Sequence, residues 1–214
     1  MNKIEISIND ASKTIKGTPV LKNITLQMEG GKCYGFKGKN GCGKTMLMRA
    51  ICGLIHLSSG KITVNGKILH KDIDFPESIG VLIENPSFID YLTGLENLKL
   101  LSDLKDKLST EELESVLKMV GLDPKDKRVY RKYSLGMKQK LGIAAAVMGN
   151  PDIVILDEPI NAIDQDGVLL VRKILNELKE KGSIIIIACH DHEELQQLAD
   201  VIIPLENGGM AYEN

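Results

Sequence analysis

Residues Gly38 to Thr45 read GKNGCGKT. Two glycines five positions apart, followed by Lys and Thr, suit a loop that wraps a phosphate chain. Glycine lets backbone N–H groups come close to the anion, and a helix start behind the loop adds further amides and a partial positive charge. On that reading Gly38, Asn40, Gly41, Cys42, Gly43, Lys44, Thr45 and Met46 line the phosphates, Lys44 reaches the outermost of them, and the Thr45 hydroxyl sits on a magnesium ion. A second constellation, IVILDEP, runs four apolar residues into Asp157 and Glu158. Adjacent acids at the tip of a buried strand are costly unless something uses them. Asp157 suits support of the magnesium, and Glu158, one residue further into the site, suits polarising an attacking water as general base. Taken alone, each stretch has a plainer reading: a glycine-rich turn before a helix, and solvated acids at a helix cap before Pro159.

These groups need a scaffold of strands that stop where the loops begin. Lys32 to Phe36 is a short apolar strand leading straight into the glycine-rich turn, and Met46 to Leu54 has helical spacing behind it. Ahead of them, Ile4, Ile6 and Ile8 alternate with polar residues, and Val20 to Met28 follows a turn at Lys16 to Pro19, which predicts a sheet with one buried face. Asn65-Gly66 between beta-formers predicts an antiparallel hairpin. From Thr93 to about Val120 the apolar residues recur at helical intervals, ended by Gly121 and Pro124. Thereafter helix and buried strand alternate: Leu135 to Met148, Ile153 to Leu156, Val168 to Lys179, Ser183 to Ala188, Glu193 to Ala199 and Val201 to Leu205. Strands so apolar on both faces predict an α/β fold with a largely parallel sheet covered by helices.

Further stretches fall in a telling order. Tyr133 to Gln139 reads YSLGMKQ before an apolar helix, Asn161-Ala162-Ile163-Asp164 follows the acidic pair, and His190 ends the apolar strand SIIIIAC. Together with the loop at Gly38 and the acids at Asp157, this series resembles the ABC ATPase domains over essentially the whole chain. The resemblance implies a P-loop NTPase (RecA-like) core with an antiparallel β subdomain and a helical subdomain at about 84–148, together making one domain over 1–214. It implies ATP and Mg2+ as the ligands, with hydrolysis served by Lys44, Glu158 and the switch histidine His190. Ser134 and Gly136, from the signature motif, are expected to meet the gamma-phosphate held by the opposite subunit of a head-to-tail homodimer, and Asp164 belongs to the loop along that interface. Leu135 stands where a second glycine is common, and Met137 and Lys138 also depart from the commonest form.

Two other departures are informative. Glu84, in LIENPSF, occupies the place of the family's Q-loop glutamine, where a hard carboxylate oxygen can still ligate magnesium. With LTGLENL downstream, it resembles the branch serving bacitracin resistance and lantibiotic immunity by export. Ile15 stands where an aromatic residue commonly stacks on adenine, so weaker base selectivity is expected.

The bulk properties fit a soluble motor beside a membrane. With 214 residues, 43% of them hydrophobic, and a net charge of −2 without like-charge blocks, nothing asks for a nucleic-acid partner. Cys33, Cys42, Cys52 and Cys189 show no CxxC spacing, and no leader-like pattern stands at the N-terminus, so reduced thiols and a cytoplasmic place are expected. Apolar runs such as Ile143 to Met148 and Ile184 to Cys189 fall far short of the roughly 18–20 residues of a bilayer span. The expectation is therefore a peripheral subunit on the inner face of the membrane, working with separate transmembrane permease subunits. Other readings are a non-transport ABC-type ATPase, a P-loop kinase, and a nucleotide sensor acting on a soluble partner.

Overall fold

The computed structural model describes residues 4–104, 107–189 and 191–211. Two sheets share one interior. The first is antiparallel, in the order β2-β1-β4-β5, built from β1 (Glu5–Ile15), β2 (Thr18–Glu29), β4 (Ser59–Val64) and β5 (Lys67–Ile68). Alternation sets its buried face: Ile6, Ile8, Leu21, Ile24 and Met28 point inward, and their polar neighbours do not. The β4–β5 hairpin turns at Asn65 (φ 50°) and Gly66 (φ 78°), the pair of positive φ angles that a tight two-residue hairpin requires.

The second sheet has the order β10-β9-β3-β8-β7-β6, from β3 (Lys32–Lys37), β6 (Ile79–Leu82), β7 (Ile153–Asp157), β8 (Ile184–Ala188), β9 (Val201–Glu206) and β10 (Gly209–Met210). All pairings are parallel except β9 with β10. The all-apolar strands are explained by a division of faces. Ile153, Ile155, Ile184 and Ile186 join the core beneath the antiparallel sheet, whereas Val154, Leu156, Ile185 and Ile187 join the core beneath the helices on the other side. Each fully buried isoleucine stabilises the fold by roughly 1.5–3 kcal/mol.

Among the described residues six α-helices complete the fold: α1 (Lys44–Ile51), α2 (Gly94–Asp103), α3 (Thr110–Met119), α4 (Leu135–Val147), α5 (Gln165–Glu180) and α6 (His192–Leu198). Helix α1 is shorter than its apolar pattern suggests, because Gly53, at φ 77°, turns the chain away after Ile51. The helical run expected from Thr93 to Val120 is two helices. Each opens with a reciprocal capping box, Thr93 with Glu96 and Ser109 with Glu112, which satisfies first-turn amides and marks a separate start. Helices α2, α3 and α4 all fall between β6 and β7, so the chain leaves the parallel sheet after Leu82 and re-enters it at Ile153.

Candidate functional site

The site forms at the C-terminal ends of the parallel strands, where open α/β sheets place their ligands. Strand β3 delivers the loop Gly38–Gly43, and α1 begins at Lys44. A Cβ on Gly38 would lie 2.3 Å from the Leu205 carbonyl oxygen and 2.5 Å from Cys42 Sγ, so the loop can follow this path only with glycine there. Gly43 caps α1 with φ 111° and supplies no side chain, so the first-turn N–H groups face the loop's interior uncapped. The neighbouring chain braces the loop, because Gly208 N donates to the Cys42 carbonyl at 2.9 Å. Lys44 is buried, and its Nζ donates to the carbonyls of Gly38 at 2.5 Å and Lys39 at 3.2 Å. A cation thereby lies along a cradle of backbone amides. That combination binds anions, polyphosphates above all.

Thr45 Oγ1 donates to Asp157 Oδ2 at 2.8 Å, which joins the start of α1 to the end of β7. Asp157 is 9% exposed. A hydroxyl and a carboxylate oxygen side by side next to a phosphate cradle are hard donors of the kind magnesium takes. Among the described residues no cluster of three or more His, Cys, Asp or Glu side chains could hold a metal alone. The donor set therefore suits an ion that shares its coordination with phosphate oxygens and water, as Mg2+ does.

Glu158 follows Asp157 in the left-handed region, at φ 52°. Its N–H donates to the Ala188 carbonyl of the adjacent strand at 2.9 Å, and its own carbonyl accepts from Gln139 Nε2 at 2.9 Å. Gln139 also donates to the Pro159 carbonyl at 3.3 Å and is buried. Burial pushes the Cys189 thiol up from its ordinary pKa, and Glu158, Glu194, Cys33 and Asp157 push it the same way. Glu84, also at positive φ (65°), follows β6, and its Oε1 accepts from Arg49 Nη2 at 2.5 Å.

A second cluster forms at the start of α4. Ser134 is its N-cap, exposed, with its hydroxyl accepting from Met137 N at 3.2 Å. Gly136 fits because a Cβ there would lie 2.7 Å from the Ala162 carbonyl oxygen, so α4 and the segment after Glu158 touch through backbone. Lys140 Nζ meets Asp164 Oδ1 at 3.1 Å, and the hydrogen bond and charge of that lysine hold the Asp164 carboxyl below the usual carboxylate range. Ile15 lies 39% exposed at the end of β1, opposite Thr18. Two residues past Thr18, the Val20 carbonyl would lie 3.0 Å from a Cβ on Gly43, so this hairpin edge flanks the phosphate loop. His190 lies outside the described residues.

The structure thus brings Lys44, Thr45, Asp157, Glu158 and Glu84 to one rim of strand ends, and Ser134, Gly136 and Asp164 to a second cluster reached through Gln139. Sequence reasoning quoted Gln139 only as the last residue of YSLGMKQ, without a role, and passed over Lys140 and Arg49. Only Gln139 left a trace, as a polar residue on an otherwise apolar helical face.

Comparison with known proteins agrees with this geometry. Residues 21–161 match the family model described as ABC transporter. An uncharacterized ABC transporter ATP-binding protein of Bacillus subtilis, YybJ, is 44% identical, with 95% of this chain and 93% of that protein covered. The bacitracin transport ATP-binding protein BcrA of Enterococcus faecalis is 39% identical, with 97% and 68% covered. A solved ATP-binding subunit of an ABC transporter superposes with a TM-score of 0.87 at 27% identity, covering 98% of this chain and 89% of its own.

Proposed function

Since the chain belongs to the ABC transporter family, as an ATP-binding, ATP-hydrolysing subunit, we propose that it powers export of a peptide antibiotic or drug through separate transmembrane permease subunits. The export reading rests on the likeness to the bacitracin transport protein and on glutamate at position 84. No described helix is long and apolar enough to cross a membrane. The likeness to ATP-binding proteins of transporters supports separate permease partners, which this subunit serves from the cytoplasmic face.

The observation that carries the nucleotide reading is the convergence of the Lys44 ammonium, the glycine loop and the Thr45–Asp157 pair on one rim. Backbone amides of Gly41 to Thr45 receive the phosphates of ATP, and Lys44 exchanges the carbonyls of Gly38 and Lys39 for the outer phosphate oxygens. Thr45 and Asp157 hold Mg2+, which supplies charge neutralisation on the phosphates. Glu158 orients and polarises the attacking water as general base, and His190 adds a contact to the transferred phosphoryl group. Ile15 covers one face of the adenine.

Ser134 and Gly136 stand at an exposed helix start, which suits an anion presented from outside. Two chains pairing head to tail place each such start over the nucleotide in the other's loop, and Asp164 lines the seam. Contacts to the gamma-phosphate exist only before hydrolysis, so ATP favours the closed dimer and its loss opens it. Replacing Glu158 by Gln tests the scheme. The variant is expected to bind ATP, accumulate as a dimer in sedimentation and lose turnover, whereas unchanged hydrolysis would place the base elsewhere.

A further inference from the structure

Arg49 has no role in the scheme above, yet it sits one helical turn beyond Thr45 on the same face of α1. That single face therefore carries the hydroxyl bonded to Asp157 and the guanidinium bonded to Glu84. The strand register shows why this matters. Strands β6 and β7 pair in parallel as far as Leu82 with Leu156, so Glu84 and Glu158 each stand two residues beyond the last pair. Asp157, Glu158 and Glu84 thus leave neighbouring strand ends together. Three acidic residues leaving neighbouring strand ends bring like charges near one another, and a cation held beside one of them relieves the repulsion.

The Arg49–Glu84 pair is open to water, with 35% and 62% of the two side chains exposed. Such pairs are weak and readily exchanged. Its partners nevertheless come from two separate elements: helix α1 behind the glycine loop, and the segment leading from β6 into α2. We propose that Arg49 is a positioning residue that clasps Glu84 and keeps its carboxylate from adding a third negative charge around the magnesium site. The clasp rests on the nucleotide reading given above. It makes Glu84 an exchangeable contact of Arg49 in place of a standing metal ligand, and it predicts that releasing Glu84 strengthens metal binding.

The test uses the purified chain with a saturating non-hydrolysable ATP analogue and follows Mn2+ binding by the electron paramagnetic resonance of the free ion. Arg49→Ala is expected to tighten Mn2+ binding about two- to fivefold, the range set by an exposed ion pair. Arg49→Lys, which retains the cation, is expected to restore the wild-type value. In the Glu84→Gln background, Arg49→Ala is expected to leave Mn2+ affinity unmoved. A shift of equal size in that background, weaker Mn2+ binding by Arg49→Ala, or no shift at all overturns the clasp. If the wild-type chain fails to bind the analogue, the nucleotide reading falls and takes the clasp with it; analogue binding with an unmoved Mn2+ affinity removes the clasp alone.

Discussion

Replacing Gln139 by Met keeps the side chain's length and apolar volume but removes the donor that holds the Glu158 segment in place. In the fold Gln139 Nε2 donates to the carbonyls of Glu158 at 2.9 Å and Pro159 at 3.3 Å, with the residue only 8% exposed. A lost hydrogen bond costs about 1 kcal/mol net, and a carbonyl left dry costs about 1–3 kcal/mol. The longer bond counts for less, so the sum is about 2–4 kcal/mol. For a domain of this size that lowers Tm by roughly 5–15 °C, read by calorimetry. Turnover should suffer separately. Glu158 holds φ 52°, a backbone state that costs a side-chain-bearing residue roughly 1–2 kcal/mol, and the Gln139 bond helps to impose it. Released, the residue relaxes and its carboxylate loses its aim. Steady-state kinetics should then show kcat down more than about tenfold with KM for ATP within about threefold, because the phosphate loop is untouched. Gln139→Glu should be worse than Met, since an anion then faces two carbonyl oxygens. A Met variant with wild-type Tm and kcat would refute the tether, and a lowered Tm with unchanged kcat would reduce it to packing.

Three further outcomes are expected. Gly136→Ala forces a Cβ to 2.7 Å from the Ala162 carbonyl, so α4 must shift by some tenths of an ångström; stability should drop by about 1–3 kcal/mol, and the Glu158→Gln variant carrying it should no longer dimerise with ATP in sedimentation. Burial raises the thiols of Cys33 and Cys52 from 9.0 to about 12. Raised folded values mean that stability is intact below pH 9 and is lost progressively between 9 and 12 as the unfolded chain ionises first, so the urea midpoint should fall from pH 8 to pH 10.5, and fall less steeply in Cys52→Ala. Ile15→Tyr adds a stacking surface beside the phosphate loop and should raise the preference for ATP over GTP in competition binding, from a small wild-type value; a large preference in the wild type would remove the reasoning.

How far the residues announced all this depends on whether their chemistry is local. The loop at Gly38 and the acids at Asp157 were legible because strand, glycine turn and helix are consecutive, and because buried strands rarely end in two acids. Capping boxes at Thr93 and Ser109 were equally local, and they show why apolar spacing alone ran two helices together: spacing reports a face, whereas caps report a start. The face assignment of β7 and β8 was not legible. When both sides of a strand are buried, alternation leaves no polar mark, and only the packing divides Ile155 from Val154. Gln139, Arg49 and Lys140 act on partners 19, 35 and 24 positions away, at Glu158, Glu84 and Asp164. No spacing rule links such residues, which become a site only when parallel strands end at one level.

The three acids at that level are held in three different ways, and the difference assigns their work on the proposed reading. Asp157 is engaged through a side-chain oxygen by a neutral hydroxyl, which leaves its negative charge suited to a divalent cation. Glu84 is engaged through its side chain by a guanidinium, which offsets its charge at the rim. Glu158 is fixed through its main chain, by Ala188 and Gln139, so its carboxylate can change partners during a reaction cycle without losing its place. A group that must take up and hand on a proton benefits from that last arrangement, because the main chain holds it in place whatever its carboxylate touches. Gln substitution should therefore act differently at the two glutamates. At Glu158 it removes the proposed base while the backbone keeps the site assembled, and at Glu84 it removes a charge whose chief partner is a neighbouring arginine.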